Sequence, residues 1–299
     1  MLAMLPGSHL GNISIGIDTT TGADNLSKFL RIPFAGYAAL AATSVGAVAA
    51  DRVALPYVQP TSGWIVSIGG TARLGPEYLG SSKFGFSGSP SLSFRRQGET
   101  PAFSAPEDGL DYALLQTQSF SFGPVAKFQS GRYSGSDNKL FGLRDVPWTV
   151  EAGAFVEFWP ITDRLRTRLE IRQGFHGHHG LIADASADWV ERIGAFTLSG
   201  GPRLSLANGS YMDRNFGISP VEAAINGVVT PFRAKGGLKS VGADAALDYQ
   251  WSRVWTTRTF VKYERLVGSA DNSPIVRAIG ERNQFTFGVG ATYSFAWGG

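Results

Sequence analysis

The sequence predicts an all-β protein, an antiparallel transmembrane β-barrel of the outer-membrane type with about twelve strands, ten and fourteen being the alternatives. Three observations lead to this fold class. Apolar and polar residues alternate over many segments, which is the period of a strand with two different faces. These segments run for about ten to fourteen residues, whereas strands of soluble proteins typically have five or six. Aromatic residues concentrate near the segment ends, as in the interfacial girdles of membrane proteins.

The N-terminal part of the chain has the layout of a secretory signal. The stretch "SKFLRIPFAGYAALAATSVGAVAAD" places two basic residues before an apolar run and ends in small residues. This order is typical of a signal peptide. We therefore predict a signal peptide over 28–50, with cleavage that leaves Asp51, or alternatively Ala50, as the first residue of the mature protein. Residues 1–27 are expected to be an extension that arises from a start codon assigned too early.

A short segment, 51–62, would follow the cleavage site and precede the barrel at 63–299. It contains two prolines, which favour an extended backbone. Two interpretations remain open for this periplasmic segment: an ordinary tether, and a strand on which a partner docks.

Twelve predicted strands fill most of the barrel region. They span 63–75, 82–87, 90–97, 110–117, 119–129, 148–159, 164–176, 180–190, 194–207, 237–250, 255–267 and 283–297. The links between them alternate in length, as short periplasmic turns and long external loops do in barrels. The short links are 160–164, 190–193 and 250–254, and the long links are 131–147, 208–236 and 268–282.

One long link, 208–236, contains a predicted short helix in "GISPVEAAING". Ser219 is a suitable N-cap and Pro220 fits the first helical position. Glu222 then stands in the first turn, and Gly227 ends the helix. The helix could pack within its loop or plug the barrel mouth, and the sequence leaves both open.

Charged residues of both signs share one face of the alternating segments. In a soluble sandwich this face would meet water, whereas in a barrel it lines the lumen and the apolar face meets lipid. Strand length and the signal peptide favour the barrel. In its lumen the charges could pair across a narrow interior or line a small channel, and we favour pairing. The predicted lumen-facing residues are Glu151, Glu157, Arg166, Arg168, Arg172, Asp244 and Asp248.

Metal binding and catalysis have little support in the sequence. His176, His178 and His179 are weak metal candidates, because the glycines of "GFHGHHGL" indicate a solvated link and adjacent strand residues point to opposite faces. No G-x-S-x-G motif is present, so we expect a non-enzymatic protein without a cofactor. The net charge of +3 gives no support for nucleic-acid binding.

Two stretches are more specific than any periodicity: "GPRLSLANGSYMDRNFGISPVEAAINGV" and "YERLVGSADNSPIVRAIGERNQFTFGVGATYSF". Together they resemble the MipA/OmpV family of outer-membrane proteins of Gram-negative bacteria, and the resemblance covers about residues 60 to 295. Among the matching residues are those of two long links: Tyr211, Met212, Phe216, Gly217, Ser273 and Pro274.

The resemblance implies an integral barrel in the outer membrane, surrounded by lipid. It also implies a scaffold role in peptidoglycan remodelling, in which the protein links a lytic transglycosylase, a murein hydrolase, to a penicillin-binding protein, a murein synthase. Other members look like small-solute porins or surface adhesins, which are the alternatives. The resemblance supplies no catalytic motif.

Overall fold

The computed structural model describes residues 63–298, together with Ile13 and Ser14. The rest of the predicted extension 1–27, the signal peptide 28–50 with its cleavage site, and the segment 51–62 lie outside the described residues. The predicted barrel region is therefore the part that can be compared with the structure.

Antiparallel strands form one sheet across the described residues. The strands are β1 (Ile13–Ser14), β2 (Trp64–Pro76), β3 (Phe84–Arg96), β4 (Leu110–Asp111), β5 (Leu115–Gln116), β6 (Phe120–Gln129), β7 (Thr149–Ile161), β8 (Leu165–His176), β9 (Leu181–Ile193), β10 (Phe196–Ala207), β11 (Gly237–Gln250), β12 (Trp255–Leu266) and β13 (Asn283–Trp297). Strands β2 to β13 confirm the predicted count of twelve. Four short helices lie in the long links: α1 (Gly209–Phe216), α2 (Pro220–Asn226), α3 (Gly268–Asn272) and α4 (Pro274–Arg277).

Two of the predicted strand boundaries are wrong. The predicted strands 82–87 and 90–97 are one continuous strand, β3, although Gly88 and Pro90 between them suggest a turn. Proline is tolerated near a sheet edge, and beyond β3 lies only the two-residue β1.

The predicted strand 110–117 is split into β4 and β5, both of which pair with β6. Pro124 of β6 accepts a hydrogen bond from the Tyr112 backbone N–H at 3.1 Å, but proline has no N–H to donate in return. The ladder is therefore interrupted at this point.

The order of strands makes residues 97–109 cross the interior. The order is β1-β3-β2-β13-β12-β11-β10-β9-β8-β7-β6-β4, and β1 at one end contacts β4 at the other. Because every neighbouring pair between β3 and β4 is antiparallel, β3 and β4 run in the same direction. The chain must therefore return along the barrel between them. We call residues 97–109 the luminal segment.

The two faces of the sheet differ in chemistry, as alternation predicts. On β13, Phe285, Phe287 and Val289 point outward and are exposed, while Gln284 is buried on the other face. Exposed aromatic residues cluster at the end with short turns, where they contact one another in pairs such as Trp255 and Tyr293. This outward surface suits lipid with an interfacial girdle. Among the described helices, none is both long and apolar enough to cross a membrane.

Candidate functional site

The inward face of β8 carries the arginine Arg166, which is completely buried. Its Nε donates to Glu157 Oε2 at 2.8 Å, and its Nη1 donates to Asp188 Oδ2 at 3.3 Å. Glu157 and Asp188 come from β7 and β9, the two neighbours of β8. The guanidinium therefore joins three adjacent strands.

Two residues further along β8, Arg168 makes a similar set of contacts. It donates to Asp111 Oδ2 at 2.5 Å, to Glu170 Oε1 at 2.8 Å and to Glu157 Oε2 at 3.3 Å. The guanidinium carbon also lies 4.1 Å from the centre of the Phe155 ring. A cation above an aromatic face is favourable, and more so where water is excluded.

The third arginine of β8, Arg172, lies nearer the end of the barrel with long loops. Its Nε donates to Glu151 Oε2 at 3.0 Å, and its two other nitrogens donate to Glu170 and Asp184. Planar guanidinium groups suit such multiple carboxylate contacts better than lysine does.

Beyond β9 the network continues through Arg203 of β10. This arginine donates to Asp188 Oδ1 at 2.5 Å and to Asp244 Oδ1 at 2.6 Å. Arg258 and Asp248 form a separate two-bond pair at 2.6 and 2.8 Å. The structure thus places the seven predicted lumen-facing residues on the inward face, in ion pairs rather than along an open charged wall.

The luminal segment contributes two further carboxylates to this network. Asp108 accepts a hydrogen bond from Arg166 Nη2 at 2.6 Å, and Glu107 accepts one from Arg203. Removing one partner of a buried ion pair is strongly destabilising, because the remaining charge stays buried without compensation. These contacts therefore hold the segment inside the barrel.

Contacts of Phe103 and Pro106 also hold the luminal segment in place. The Phe103 ring lies edge-on to Trp159 with centroids 6.1 Å apart, and the Arg166 guanidinium lies 5.3 Å from the Phe103 centroid. Arg73 of β2 donates to the Pro106 carbonyl oxygen at 3.3 Å.

Sequence reasoning missed the luminal segment as part of the site. Its residues show no two-residue alternation, so the sequence predicts a link between strands there. The direction of the strands was the available signal. If 82–87 and 90–97 are taken as one strand, β3 and β4 run in the same direction. The chain between them must then cross the barrel.

Two cavities remain between the luminal segment and the loops. The larger has a volume of about 200 Å³ and is lined by Glu107, Lys127, Arg172 and Tyr211 among others. The smaller, of about 160 Å³, shares Leu79, Gln129, Lys262 and Glu264 with it and also reaches loop residues. The two cavities therefore adjoin each other.

The long loops pack into a structure that we call the cap, formed by residues 77–83, 130–148, 208–236 and 267–282. Two buried apolar clusters hold the cap together, and Phe232 packs against both. Tyr211, Met212 and Phe216 belong to the first cluster, and none of the three has measurable exposure.

Family-motif residues of two different loops contact each other within the cap. Ser273 Oγ donates to the Phe216 carbonyl oxygen at 2.7 Å, and it also caps α4, which begins at Pro274. Gly217 lies so close to Asp213 that an added Cβ would stand 2.4 Å from its carbonyl oxygen. The motif residues therefore have a packing role.

The predicted helix 217–227 is confirmed as α2. Ser219 is its N-cap in a reciprocal capping box with Glu222, and Gly227 ends it in the left-handed conformation. Ala223 is buried in the second apolar cluster. The helix packs within the cap.

Glu222 also joins this helix to the neighbouring loop. Its Oε1 accepts hydrogen bonds from Arg144 N at 2.8 Å and Arg144 Nε at 3.0 Å. Partial burial on its own raises the pKa of Glu222, but the hydrogen bonds from Ser219 and Arg144 outweigh it and lower the pKa to about 2. The carboxylate is thus a charged clamp between two loops.

The three histidines have separate surroundings. His176 is exposed and its ring lies 4.4 Å from that of Trp148. His178 is buried, with Nε2 3.2 Å from Glu151 Oε1 and Nδ1 accepting from Gly180 N at 3.2 Å. Across residues 63–298, no three side chains of His, Asp or Glu are grouped to hold a metal ion.

A curled antiparallel sheet with an apolar outward face and a charged, ion-paired inward face defines an integral β-barrel protein, and its location is the outer membrane of a Gram-negative bacterium. The family model described as "MltA-interacting protein MipA" matches residues 68–295, and the chain belongs to this family. The resemblance seen in the sequence is thereby confirmed.

Solved structures of outer-membrane proteins are similar to this chain in fold. An outer membrane channel from Pseudomonas putida F1 has 10% identity and a TM-score of 0.43, over 80% of this chain and 98% of that one. The NanC porin has 10% identity and a TM-score of 0.37, over 77% and 98%. A loop-deletion mutant of OmpT from Vibrio cholerae has 7% identity and a TM-score of 0.36, over 79% and 100%. Among curated proteins, no sequence matches this chain.

Proposed function

We propose that this protein is a non-enzymatic scaffold of the outer membrane that holds a lytic transglycosylase and a penicillin-binding protein close to each other during peptidoglycan remodelling. One observation carries the preference for a scaffold over an open pore. The ion pairs of Glu107 and Asp108 hold the luminal segment inside the barrel, and the cap covers the end of the barrel that carries the long loops. Because its interior is filled in this way, we expect the barrel to act by binding partners on its surface rather than as an open pore.

The partner would bind at the end with short turns. Long loops face outward in outer-membrane barrels, so the short turns face the periplasm, where murein lies. The turns 162–164, 194–195 and 251–254 are too short to offer a large surface. β2 begins at this same end. We propose that the segment 51–62, which precedes β2 in the sequence, adds reach as an extended docking strand does.

Deleting 51–60 tests the scaffold directly. We expect the barrel to assemble unchanged, shown by a different gel mobility before and after boiling, while capture of the murein enzymes from crosslinked envelopes falls. Deleting four cap residues, 225–228, is the matched control, because it shortens the chain at the opposite end and should leave capture unchanged. Equal capture by the full-length protein and the 51–60 deletion would contradict the docking role.

A small-solute channel is the second candidate, and the two adjoining cavities favour it. Single-channel recording of the refolded protein separates the two functions. The scaffold requires enzyme capture with little steady conductance. Steady conductance, together with no murein enzyme in pull-downs, would favour the channel instead.

A further inference from the structure

We infer that a proton shared between Glu107 of the luminal segment and Asp244 of β11 latches the segment inside the barrel, so that raising the pH releases it. The scaffold role does not depend on this latch, because murein enzymes would bind outside the barrel. The inference stands on the way in which the two carboxyl groups meet at Arg203.

Both carboxyl groups bind the same edge of the Arg203 guanidinium. Glu107 Oε1 accepts a hydrogen bond from Nε, and Asp244 Oδ1 accepts one from Nη2 at 2.6 Å. Nε and Nη2 are neighbouring nitrogens whose N–H groups point the same way from the planar guanidinium. The two carboxyl groups therefore lie side by side.

The second oxygen of each group makes the contact that needs the proton. Glu107 Oε2 and Asp244 Oδ2 are buried, and no basic, amide or hydroxyl group among the described residues donates to them. The two side chains are hydrogen-bonded to each other instead. An ionised carboxylate can only accept hydrogen bonds, so one of the two groups must carry a proton. The latch is thus a carboxyl–carboxylate pair.

The other charged groups around this pair have partners of their own. Lys262 lies opposite Asp244 in the pairing of β11 with β12, and its Nζ is 3.0 Å from Glu264 Oε2. The remaining neighbours are bonded as follows: Asp188 of β9 to Arg166 and Arg203, Arg73 of β2 to the Pro106 carbonyl, Asp108 of the luminal segment to Arg166 of β8, and Arg258 of β12 to Asp248 of β11. One guanidinium charge therefore faces both carboxyl groups of the latch, and the proton neutralises the second group.

Loss of the proton would weaken the hold on the luminal segment. Two ionised carboxylates in contact repel each other, and here one belongs to the segment and the other to the barrel wall. Once separated and hydrated in the lumen, both groups are ionised at neutral pH. The held state thus binds one proton more than the released state, so the released population should rise by up to about tenfold per pH unit.

Infrared spectroscopy of the purified, detergent-solubilised protein tests the proton itself. At neutral pH we expect the C=O stretching band of a protonated carboxyl group. Asp244→Asn should reduce this band, because its amide donates to Glu107 without a titratable proton. Asp248→Asn, on the same strand and the same face, is the matched control and should leave the band unchanged. An identical band in the unsubstituted protein and in Asp244→Asn would overturn the inference.

Single-channel recording in lipid bilayers tests the release. As the pH rises from about 6 to about 10, openings of the unsubstituted protein should become more frequent, by up to about tenfold per pH unit, and the change should reverse. Asp248→Asn should respond in the same way, whereas Asp244→Asn should show no pH response. If Asp244→Asn does not fold, Glu107→Gln replaces it, because glutamine also supplies an amide donor. No pH response of the unsubstituted protein, or an equal response of the amide variant, would overturn the latch.

Discussion

Replacing Glu222 with glutamine tests whether the cap depends on one charged clamp. The carboxylate accepts hydrogen bonds from Ser219 and Arg144 and so ties α2 to the loop 130–148. Glutamine keeps the size of the side chain and one acceptor oxygen but removes the charge. The variant therefore isolates the electrostatic part of the clamp.

The size of the effect follows from the pKa of Glu222, which falls from its usual 4.5 to about 2. A pKa lowered by roughly 2.5 would correspond to about 3 kcal/mol, at about 1.4 kcal/mol per pKa unit, but the side chain is partly exposed and water screens its charge, so we expect about 1–2 kcal/mol of cap stability at neutral pH. Because the folded-state pKa is lowered, this contribution is complete above pH 4.5 and is lost as the pH falls toward 2.

Amide hydrogen exchange of the cap, corrected for the intrinsic rate at each pH, measures this stability. At pH 6 we expect amides of α2 in the Glu222→Gln variant to lose protection by about 5- to 30-fold. The difference from the unsubstituted protein should shrink strongly near pH 2.5. Asp163→Asn is the matched control, since Asp163 lies in an exposed turn at the opposite end.

Equal protection in the two proteins at pH 6 would refute the clamp. A difference of the same size at pH 6 and at pH 2.5 would show that glutamine disturbs packing rather than charge, and it would refute the pH argument.

Three further changes test the other parts of the molecule. Asp108→Asn removes the charge that faces Arg166 and should loosen the luminal segment, which single-channel recording would register as higher conductance; unchanged conductance would show that other contacts hold the segment. Phe216→Ala empties a fully buried position and should cost the cap about 3–5 kcal/mol, measured by hydrogen exchange, while the boiled and unboiled gel mobilities still differ. Phe287→Lys places a charge on the outward face and should cost about 2–4 kcal/mol in denaturant unfolding from lipid bilayers, whereas no loss would argue that lipid does not cover this face.

Local signals in the sequence were sufficient for two kinds of element. The long strands follow from alternation, because each has one face toward lipid and one toward the interior. The helix at Ser219 follows from its caps, since an N-cap, a proline and a final glycine are local requirements.

Non-local features could not be predicted in the same way. The sequence predicts two strands, 82–87 and 90–97, where the structure has the single strand β3, and only the position of β3 near the sheet edge shows why Pro90 is accepted there. The luminal segment has no periodicity, and its place depends on the directions of strands far apart in the chain.

Part of the candidate site could likewise be predicted from the sequence. Alternation indicated which charged residues share a face, but it could not assign their partners, because each arginine of β8 bonds to carboxylates on several strands. The motif residues Phe216 and Ser273 were identified by resemblance. Their contact joins two distant loops, so the reason for the motif is visible only in three dimensions.

The pairing of β2 with β13 sets a constraint on how the chain can assemble. Strands β6 to β13 form a continuous meander in which each strand pairs with its successor, whereas the β2–β3 hairpin joins the far end of that meander. Contacts between residues this distant in sequence form slowly. The hairpin precedes the meander in the chain, yet its main neighbour is β13, the last of the described strands. We therefore expect the two units 64–96 and 120–297 to pair late in folding. Until β2 pairs with β13, the luminal segment keeps the first unit linked to the second.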